Sequence, residues 1–189
     1  MAINPAIFHN VNVVDTCAVW NVLRSRCLYR AALLANCQFV ITQFVNYECL
    51  HKPRSNPPTP SDIELRSRLT AEQSKGRFSA QSCDLDDLQT IALLQNRQRL
   101  GKGELSSIAF AMRYGQAILT DDQKARRLAG QAGHAIVQTT PHLFSWLVFT
   151  GRLDDTDKGT VLTEHTNLDG VLTKHLEAAY TIALQLMSR

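Results

Sequence analysis

Short runs rich in β-branched residues alternate with helical patterns along most of this chain, and this alternation limits the fold more than any other feature. The runs are NVNVV, QFVIT, AILT and HAIVQ, and short connections separate them from the helical segments. Strands that alternate with helices pair in parallel, because each helix carries the chain back along the sheet. The pattern predicts an α/β fold with three α/β/α layers and a central parallel sheet.

The length of 189 residues suits one domain with a short appendage. Because the composition changes near residue 150, we predict a main domain over residues 1–150 and a C-terminal helical extension over residues 151–189. The apolar stripe of the last helix is expected to pack on its own domain, although it could also meet a partner. The proline-rich segment 53–60 predicts a loop, and Ser61 or Asp62 is expected to cap the helix that follows.

Cysteine usage and the absence of targeting patterns indicate a cytoplasmic protein. The five cysteines form no C-x-x-C pair, and only Cys49 with His51 approaches the spacing of a zinc site. Reduced thiols are typical of a reducing compartment. We see no secretory leader and no apolar run of ~20 residues, so no membrane partner is expected. The formal charge of +3 permits a nucleic acid partner without arguing for one.

Acidic residues stand at the ends of predicted strands and on helix faces that should be apolar. Asp15 follows the first strand and Asp121 and Asp122 follow AILT, whereas Glu48 and Glu104 lie within helical patterns. Ligands of open α/β sheets bind beyond the carboxyl ends of the strands. Each acid also has a simpler explanation, because Asp is a good helix N-cap and Glu in a first helical turn is favoured by the helix dipole.

The two glutamates favour a shared site over these simpler explanations. At about 100° per residue, Glu104 shares its helical sector with Ile108 and Ala111, and Glu48 falls beside Phe44. An unpaired buried carboxylate costs several kcal/mol, so each needs an arginine or a metal as a partner. Acids without a histidine or cysteine pattern are typical ligands of a hard divalent cation, which usually serves phosphate chemistry.

Other chemistries lack their motifs. The chain has no G-x-x-x-x-G-K-[ST] loop, no G-x-G-x-x-G, no G-x-S-x-G and no H-E-x-x-H. A phosphatase with an aspartyl nucleophile at Asp15 would need an acid two residues later, where this chain has Cys17.

Three segments resemble the PIN domain, the nuclease fold of toxin ribonucleases from toxin–antitoxin pairs and of RNA-processing enzymes. They are VVDTCAVWNVL, TQFVNYECL and LGKGELSSIAFAMRYGQAILTDDQKARRLA, in the order of the family. The resemblance implies that the catalytic and metal-binding acids are Asp15, Glu48, Glu104 and the pair Asp121 and Asp122.

The likeness has two departures and one further match. The family more often has Asp where this chain has Glu104. Its T-x-D spacing selects Asp122, whereas the strand-end position makes Asp121 an equal candidate. Thr16 and Thr120 match hydroxyl positions that the family often carries near its metal.

By this resemblance, the chain is expected to be a Mg²⁺- or Mn²⁺-dependent endoribonuclease that hydrolyses single-stranded RNA and leaves 5′-phosphate and 3′-hydroxyl ends. The implied partners are RNA, an antitoxin protein and a second copy of the chain. Two alternatives stay open, a DNA nuclease of the same fold and a non-catalytic PIN-like module that binds nucleic acid or protein. Basic residues near the acids are candidate RNA contacts, although each could be an ordinary surface charge: Arg24, Arg26, Lys52, Arg54, Lys124 and Arg126.

Overall fold

A five-stranded sheet, all of whose strands run parallel, forms the centre of the protein. The computed structural model describes residues 4–52 and 57–188. The strands, in chain order, are β1 (Val11–Val14), β2 (Gln38–Thr42), β3 (Ser79–Gln81), β4 (Ala117–Leu119) and β5 (Val137–Gln138). Their order in the sheet is β3-β2-β1-β4-β5, with every neighbouring pair parallel. The predicted α/β fold with a parallel sheet is confirmed.

Ten α-helices accompany these strands in the described residues. They are α1 (Thr16–Arg24), α2 (Arg26–Leu34), α3 (Gln43–Leu50), α4 (Pro60–Gln73), α5 (Leu85–Arg97), α6 (Lys102–Tyr114), α7 (Gln123–Gln131), α8 (Thr140–Phe149), α9 (Asp155–Asn167) and α10 (Thr173–Met187).

The helices cover both faces of the sheet, which is compatible with the predicted three layers. Successive side chains of a strand point to opposite faces. Val13 and Ile118 belong to one apolar cluster, which they share with α5, α6 and α7. Their neighbours Val14 and Leu119 belong to a second cluster, shared with α1, α2, α4, α8, α9 and α10. The central strands are therefore buried on both sides.

Two local expectations need correction. Helix α4 begins at Pro60, and Thr59 caps it in a capping box with Asp62, so neither Ser61 nor Asp62 is the N-cap. Proline is tolerated in a first helical turn, because the N–H that it lacks would have no helical partner there. Within the predicted loop 53–60, residues 53–56 lie outside the described part of the chain. Strand β3 was not predicted, because its three residues carry no apolar run.

The C-terminal helices pack on the rest of the chain. Leu176, Ala179 and Ala183 of α10 are fully buried, and α10 makes its most extensive contact with α8. The apolar stripe therefore covers its own protein, in agreement with the first of the two expectations. Among the described residues, no helix combines the length and apolar character needed to cross a bilayer. All five cysteines are free thiols.

Candidate active site

The carboxyl ends of β1 and β4 place two acidic segments side by side. Val14 pairs with Leu119 across the two strands, so the residues that follow them, Asp15 and Thr120, leave the sheet together. The Thr120 hydroxyl donates a hydrogen bond to the Asp15 carboxylate. Asp15 therefore lies at the end of its strand, as the sequence predicts, beside the residues that follow β4.

Asp15 is fully buried and is held by neutral donors. Its Oδ1 accepts hydrogen bonds from the backbone N–H of Ala18 at 2.9 Å, as the N-cap of α1, and from the Cys17 thiol at 3.0 Å. Burial raises the pKa of the Asp15 carboxyl to about 7, although the bonds from Thr120 and Ala18 work in the opposite direction. Because burial opposes the charged form, an anionic Asp15 would be stabilised by a cation beside it.

Glu48 joins helix α3 to the start of α6. Its Oε2 accepts a hydrogen bond from the Thr16 hydroxyl at 2.6 Å, and its Oε1 accepts one from the backbone N–H of Gly103 at 3.2 Å. Gly101, the N-cap of α6, provides no side-chain cap, so Glu48 supplies the carboxylate that this helix terminus favours. The ammonium of Lys52 lies 4.0 Å from Oε1 of Glu48.

Gly103 is required by the close approach of two side chains. A Cβ at this position would contact the Glu48 carboxylate and would lie 2.7 Å from the Thr16 hydroxyl oxygen. The Glu48 carboxylate ends a flexible side chain and would move, whereas Thr16 is a short β-branched side chain with few rotamers and would give way less easily. A methyl group here would therefore displace Glu48 without breaking the fold.

We expect Gly103→Ala to lower the nuclease activity that the resemblance implies about tenfold to a hundredfold, because small displacements of a positioned group carry costs of this size. Its thermal stability should stay the same or fall, since the shift of Glu48 and Thr16 offsets the preference of a helix for alanine over glycine, which is worth up to ~1 kcal/mol. Gly130→Ala in α7 is the matched control, because a Cβ there meets nothing within 4 Å. Steady-state cleavage rates and melting curves would be compared. Full activity in Gly103→Ala would show that the position of Glu48 is unimportant.

One carboxylate oxygen of Glu104, in the first turn of α6, has no hydrogen-bond donor among the described residues. This oxygen, Oε2, is buried. Burial raises the pKa of the Glu104 carboxyl, and the nearby charges of Glu48 and Asp122 raise it further. A buried oxygen without a donor costs about 1–3 kcal/mol or more when it is charged. The inward position predicted from the helical wheel is correct, since Ile108 and Ala111 of the same face are fully buried.

The two tandem aspartates have different surroundings. Asp121 accepts hydrogen bonds from Asn21 Nδ2 at 2.8 Å and from the Thr140 backbone N–H and hydroxyl at 2.8 and 2.6 Å. Asp122 is the N-cap of α7 and accepts from the backbone N–H of Ala125 at 2.7 Å. Asp122 faces Glu104 closely enough to raise its pKa, whereas Asp121 acts in the same way on Asp15.

The five acids therefore form two subgroups at one edge of the sheet. One contains Asp15 and Asp121, and the other contains Glu48, Glu104 and Asp122. Threonines connect the subgroups. Thr16 directly follows Asp15 and bonds Glu48, while the Thr120 hydroxyl donates to Asp15 and accepts from the Asp122 N–H at 3.2 Å.

No arginine neutralises these carboxylates in the part of the chain that the structure describes. The ion pairs found there within 4.0 Å reach Glu48, through Lys52, but none of the other four acids. In the same residues, no three His, Cys, Asp or Glu side chains are arranged closely enough to form a preformed metal cage. The acids are thus neighbours without arginine partners, but their side chains do not converge on one point.

No protein-family model and no curated protein matches this chain. The likeness to PIN domains therefore rests on the three segments quoted above and on the residues that they place at this edge.

A series of hydrogen bonds connects Asp121 to the C-terminal segment through Asn21 and Arg24. The Arg24 guanidinium is buried, donating to Asn21 Oδ1 at 2.8 Å and to the carbonyl of Leu168, at the end of α9, at 2.9 Å. Asn21 in turn holds Asp121. Arg24 is therefore buried rather than exposed at the rim, and through Asn21 it helps to fix the Asp121 carboxylate.

The other basic candidates differ in exposure. Arg26 pairs with Glu64 at 3.0 Å. Lys124 is exposed and Arg126 is half-buried, whereas Arg54 lies outside the described residues. Lys52 alone approaches one of the five acids within 4.0 Å among the described candidates.

Three residues that hold the acids were not predicted from the sequence: Asn21, Thr140 and Gly103. A polar residue inside the apolar run AVWNVL and a threonine just after the last predicted strand were signals for the first two. Gly103 gave no signal, because only the fold shows what approaches it.

Proposed function

We propose that the protein is a metal-dependent nuclease of the PIN type, which hydrolyses phosphodiester bonds of single-stranded RNA at the edge formed by Asp15, Glu48, Glu104, Asp121 and Asp122. One observation carries the proposal. Glu104 places a buried carboxylate oxygen without a donor beside two further acids, and a divalent cation is the partner that such an oxygen and its neighbours lack.

The donor set fits Mg²⁺ or Mn²⁺. It consists of carboxylate and hydroxyl oxygens, which are the ligands of hard cations, and burial disfavours the charge on Asp15 and Glu104 in the absence of a counter-charge. We propose Asp15, Glu48, Glu104 and Asp122 as the ligands of the ion. Because no three of the described acidic side chains form a cage, these carboxylates would turn towards the ion as it binds. When bound, such an ion supplies the positive charge that phosphodiester hydrolysis requires.

The chain's own residues hold the carboxylates in place. Thr120 and the first turn of α1 orient Asp15, while Thr16 and the Gly103 N–H orient Glu48. Asp121 is fixed from two directions, by Asn21 and Thr140. These hydrogen bonds keep the carboxylates at one edge of the sheet, although the side chains must still turn to converge on an ion.

The resemblance alone supports four parts of this proposal. They are the preference for RNA, the role as a toxin, the pairing with an antitoxin and the pairing with a second copy. A DNA nuclease of the same fold would use the same acids. The two polymers differ at the 2′-hydroxyl, so they can be separated by direct comparison.

The purified protein should cleave a labelled single-stranded RNA when Mg²⁺ or Mn²⁺ is present, and EDTA should stop the cleavage. A DNA strand of the same base sequence, assayed in parallel, decides between the two substrates. Products should carry 5′-phosphate ends, which end-labelling detects. Cleavage that resists EDTA would contradict the proposal, and cutting of DNA alone would favour the alternative nuclease.

A non-catalytic binding module is the second candidate, and a specific observation favours it. Both oxygens of Asp15 and of Asp121 already accept hydrogen bonds within the protein, and the described side chains form no preformed metal cage. Calorimetric titration separates the two functions. Binding of Mn²⁺ supports the nuclease, whereas no heat at millimolar Mn²⁺ supports the binding module.

A further inference from the structure

A cavity of about 630 Å³ opens beside the acidic edge. Helix α3 and the start of α6 form its walls, which are lined by Gln43, Phe44, Tyr47, Glu48, Lys52 and Lys102. Its volume falls within the range of ligand pockets, about 300–1,000 Å³. Because Glu48 lines the cavity and also bonds Thr16, the cavity shares one side chain with the acidic site.

The cavity presents an aromatic face that the described residues leave partly uncovered. Tyr47 is 59% exposed, and its ring lies tilted against that of His51 with 5.9 Å between the centroids. Phe44 is half-buried on the same face of α3, since residues three apart on a helix are neighbours. A flat partner could therefore stack on the exposed side of the Tyr47 ring.

Two lysines give the cavity a positive rim. The Lys102 ammonium donates to the neutral amide oxygen of Gln95 at 2.8 Å, so this bond leaves its charge uncompensated. The Lys52 side chain is 62% exposed, and its ammonium is 4.0 Å from Glu48, longer than a hydrogen bond. Both ammonium groups can thus turn towards an anion that enters the cavity.

We propose that this cavity, called here the base pocket, binds one unpaired nucleobase of a single-stranded nucleic acid on Tyr47, with the adjoining phosphates on Lys52 and Lys102. Aromatic side chains beside lysines are the usual means of holding single strands, because every base has a face that can stack. The assignment rests on the proposed nuclease function, since the pocket feeds the strand towards Glu48. In this proposal, Tyr47, Lys52 and Lys102 are the residues that select single strands.

The same arrangement excludes a continuous duplex. A base can enter the base pocket only after it has left its own stack, which costs a few kcal/mol in a paired helix and less in a single strand. We therefore expect the base pocket to favour single strands over a continuous duplex.

A single-stranded RNA that carries one fluorescent 2-aminopurine tests the base pocket by binding alone. Ca²⁺ would replace Mg²⁺ in the buffer, as a hard cation with the same oxygen ligands. Stacking on Tyr47 should quench the fluorescence. Tyr47→Ala should weaken binding about tenfold and remove the quenching, whereas Tyr47→Phe should stay within about twofold of the unchanged protein, because the ring is kept.

Tyr114→Ala is the matched control. Tyr114 is an exposed tyrosine at the far end of α6, roughly 15 Å along the helix axis from Glu104, and its removal should leave binding unchanged. Both alanine variants should stay folded and lose similar, small amounts of stability, since each loses one ring contact, Tyr47 with His51 and Tyr114 with Phe110; melting curves check this.

Two results would overturn the base pocket. One is an abasic probe that binds as tightly as the intact strand, which would leave only the lysines in contact with phosphates. The other is a Tyr47→Ala variant that binds and cleaves like Tyr114→Ala; if cleavage itself is normal, the nuclease function stands and only the pocket is wrong. Conversely, Tyr47-dependent quenching without cleavage in Mg²⁺ or Mn²⁺ would keep the pocket and remove the nuclease.

Discussion

Asp15→Asn should reduce metal-dependent cleavage at least about 1,000-fold, because a carboxylate that holds a catalytic ion contributes several kcal/mol to the transition state and each 1.4 kcal/mol is a factor of ten in rate. The fold should survive. Asn caps helices as well as Asp does, so the bond from the Ala18 N–H is kept. In the unchanged protein the Thr120 hydroxyl donates to Asp15. In the variant the new amide can donate to the Thr120 hydroxyl instead.

The stability of the same variant separates loss of the site from loss of the fold. Burial of the Asp15 charge raises the pKa of this carboxyl, so removing the charge should stabilise the metal-free protein at pH 8 by a few kcal/mol. Chemical denaturation measures this gain. A variant that is inactive and also less stable would point to structural damage.

Asp154→Asn is the matched control for Asp15→Asn. Asp154 caps α9 in a capping box and is exposed, so the chemical change is the same at a helix start outside the acidic edge. Its cleavage rate should equal that of the unchanged protein. Cleavage that persists in Asp15→Asn would exclude the proposed site.

Mg²⁺ or Mn²⁺ should raise the free energy of unfolding at pH 8 and have little effect at pH 5. An ion present at 100 times its dissociation constant stabilises a folded protein by about 2.7 kcal/mol. For a chain of this size, such a gain corresponds to a rise in melting temperature of roughly 5–10 °C. The effect should vanish at pH 5, because Asp15 is then protonated and an ion must first displace the proton.

In the metal-free protein, the contribution of Asp15 to stability should show the opposite trend with pH. The pKa of Asp15 is about 7 when folded and 3.8 ordinarily, so between these values its carboxyl binds more protons in the folded state than in the unfolded state. This contribution therefore falls as pH rises from about 4 to about 7, by up to about 1.4 kcal/mol per pH unit, and is level above that. Burial of Glu104 shifts its pKa in the same direction. Burial lowers the pKa of His165 to about 4, so His165 acts on stability in the opposite sense between about pH 4 and its ordinary value of 6.5.

Glu72 affects the pH dependence of stability only at the acidic end of this pH range and below it. Although burial opposes it, hydrogen bonds from Lys75 and Arg77 lower the pKa of Glu72 to about 2. The stability that Glu72 contributes is therefore lost only as pH falls below its ordinary value of 4.5.

Melting curves at pH 5, 6, 7 and 8, with and without 5 mM Mn²⁺, would test both trends. Asp15→Asn should lack the Asp15 contribution, so its advantage in stability over the unchanged metal-free protein should grow from pH 5 to pH 7, and the gain from the ion should be lost. An equal gain at pH 5 and pH 8, or a gain that Asp15→Asn retains, would place the ion elsewhere.

The position of most secondary structure was readable from local patterns. Four of the five strands and the helical segments were predicted, because apolar periodicity is a local property. Strand β3 escaped, since its residues are partly exposed and it is defined by backbone pairing with β2. The start of α4 was misplaced by two or three residues, because Thr59 and Asp62 form a capping box whose first member was overlooked.

The sequence by itself determined that this chain forms a parallel α/β sheet and that Asp15, Asp121 and Asp122 leave it at the same edge, because a strand and the residue after it are fixed by neighbours in the chain. Only the tertiary structure decided which donors hold each acid. Those bonds join residues far apart in the chain, such as Thr16 with Glu48 and Asn21 with Asp121. Hydrogen bonds of this kind depend on how helices pack, and packing leaves no local pattern to read.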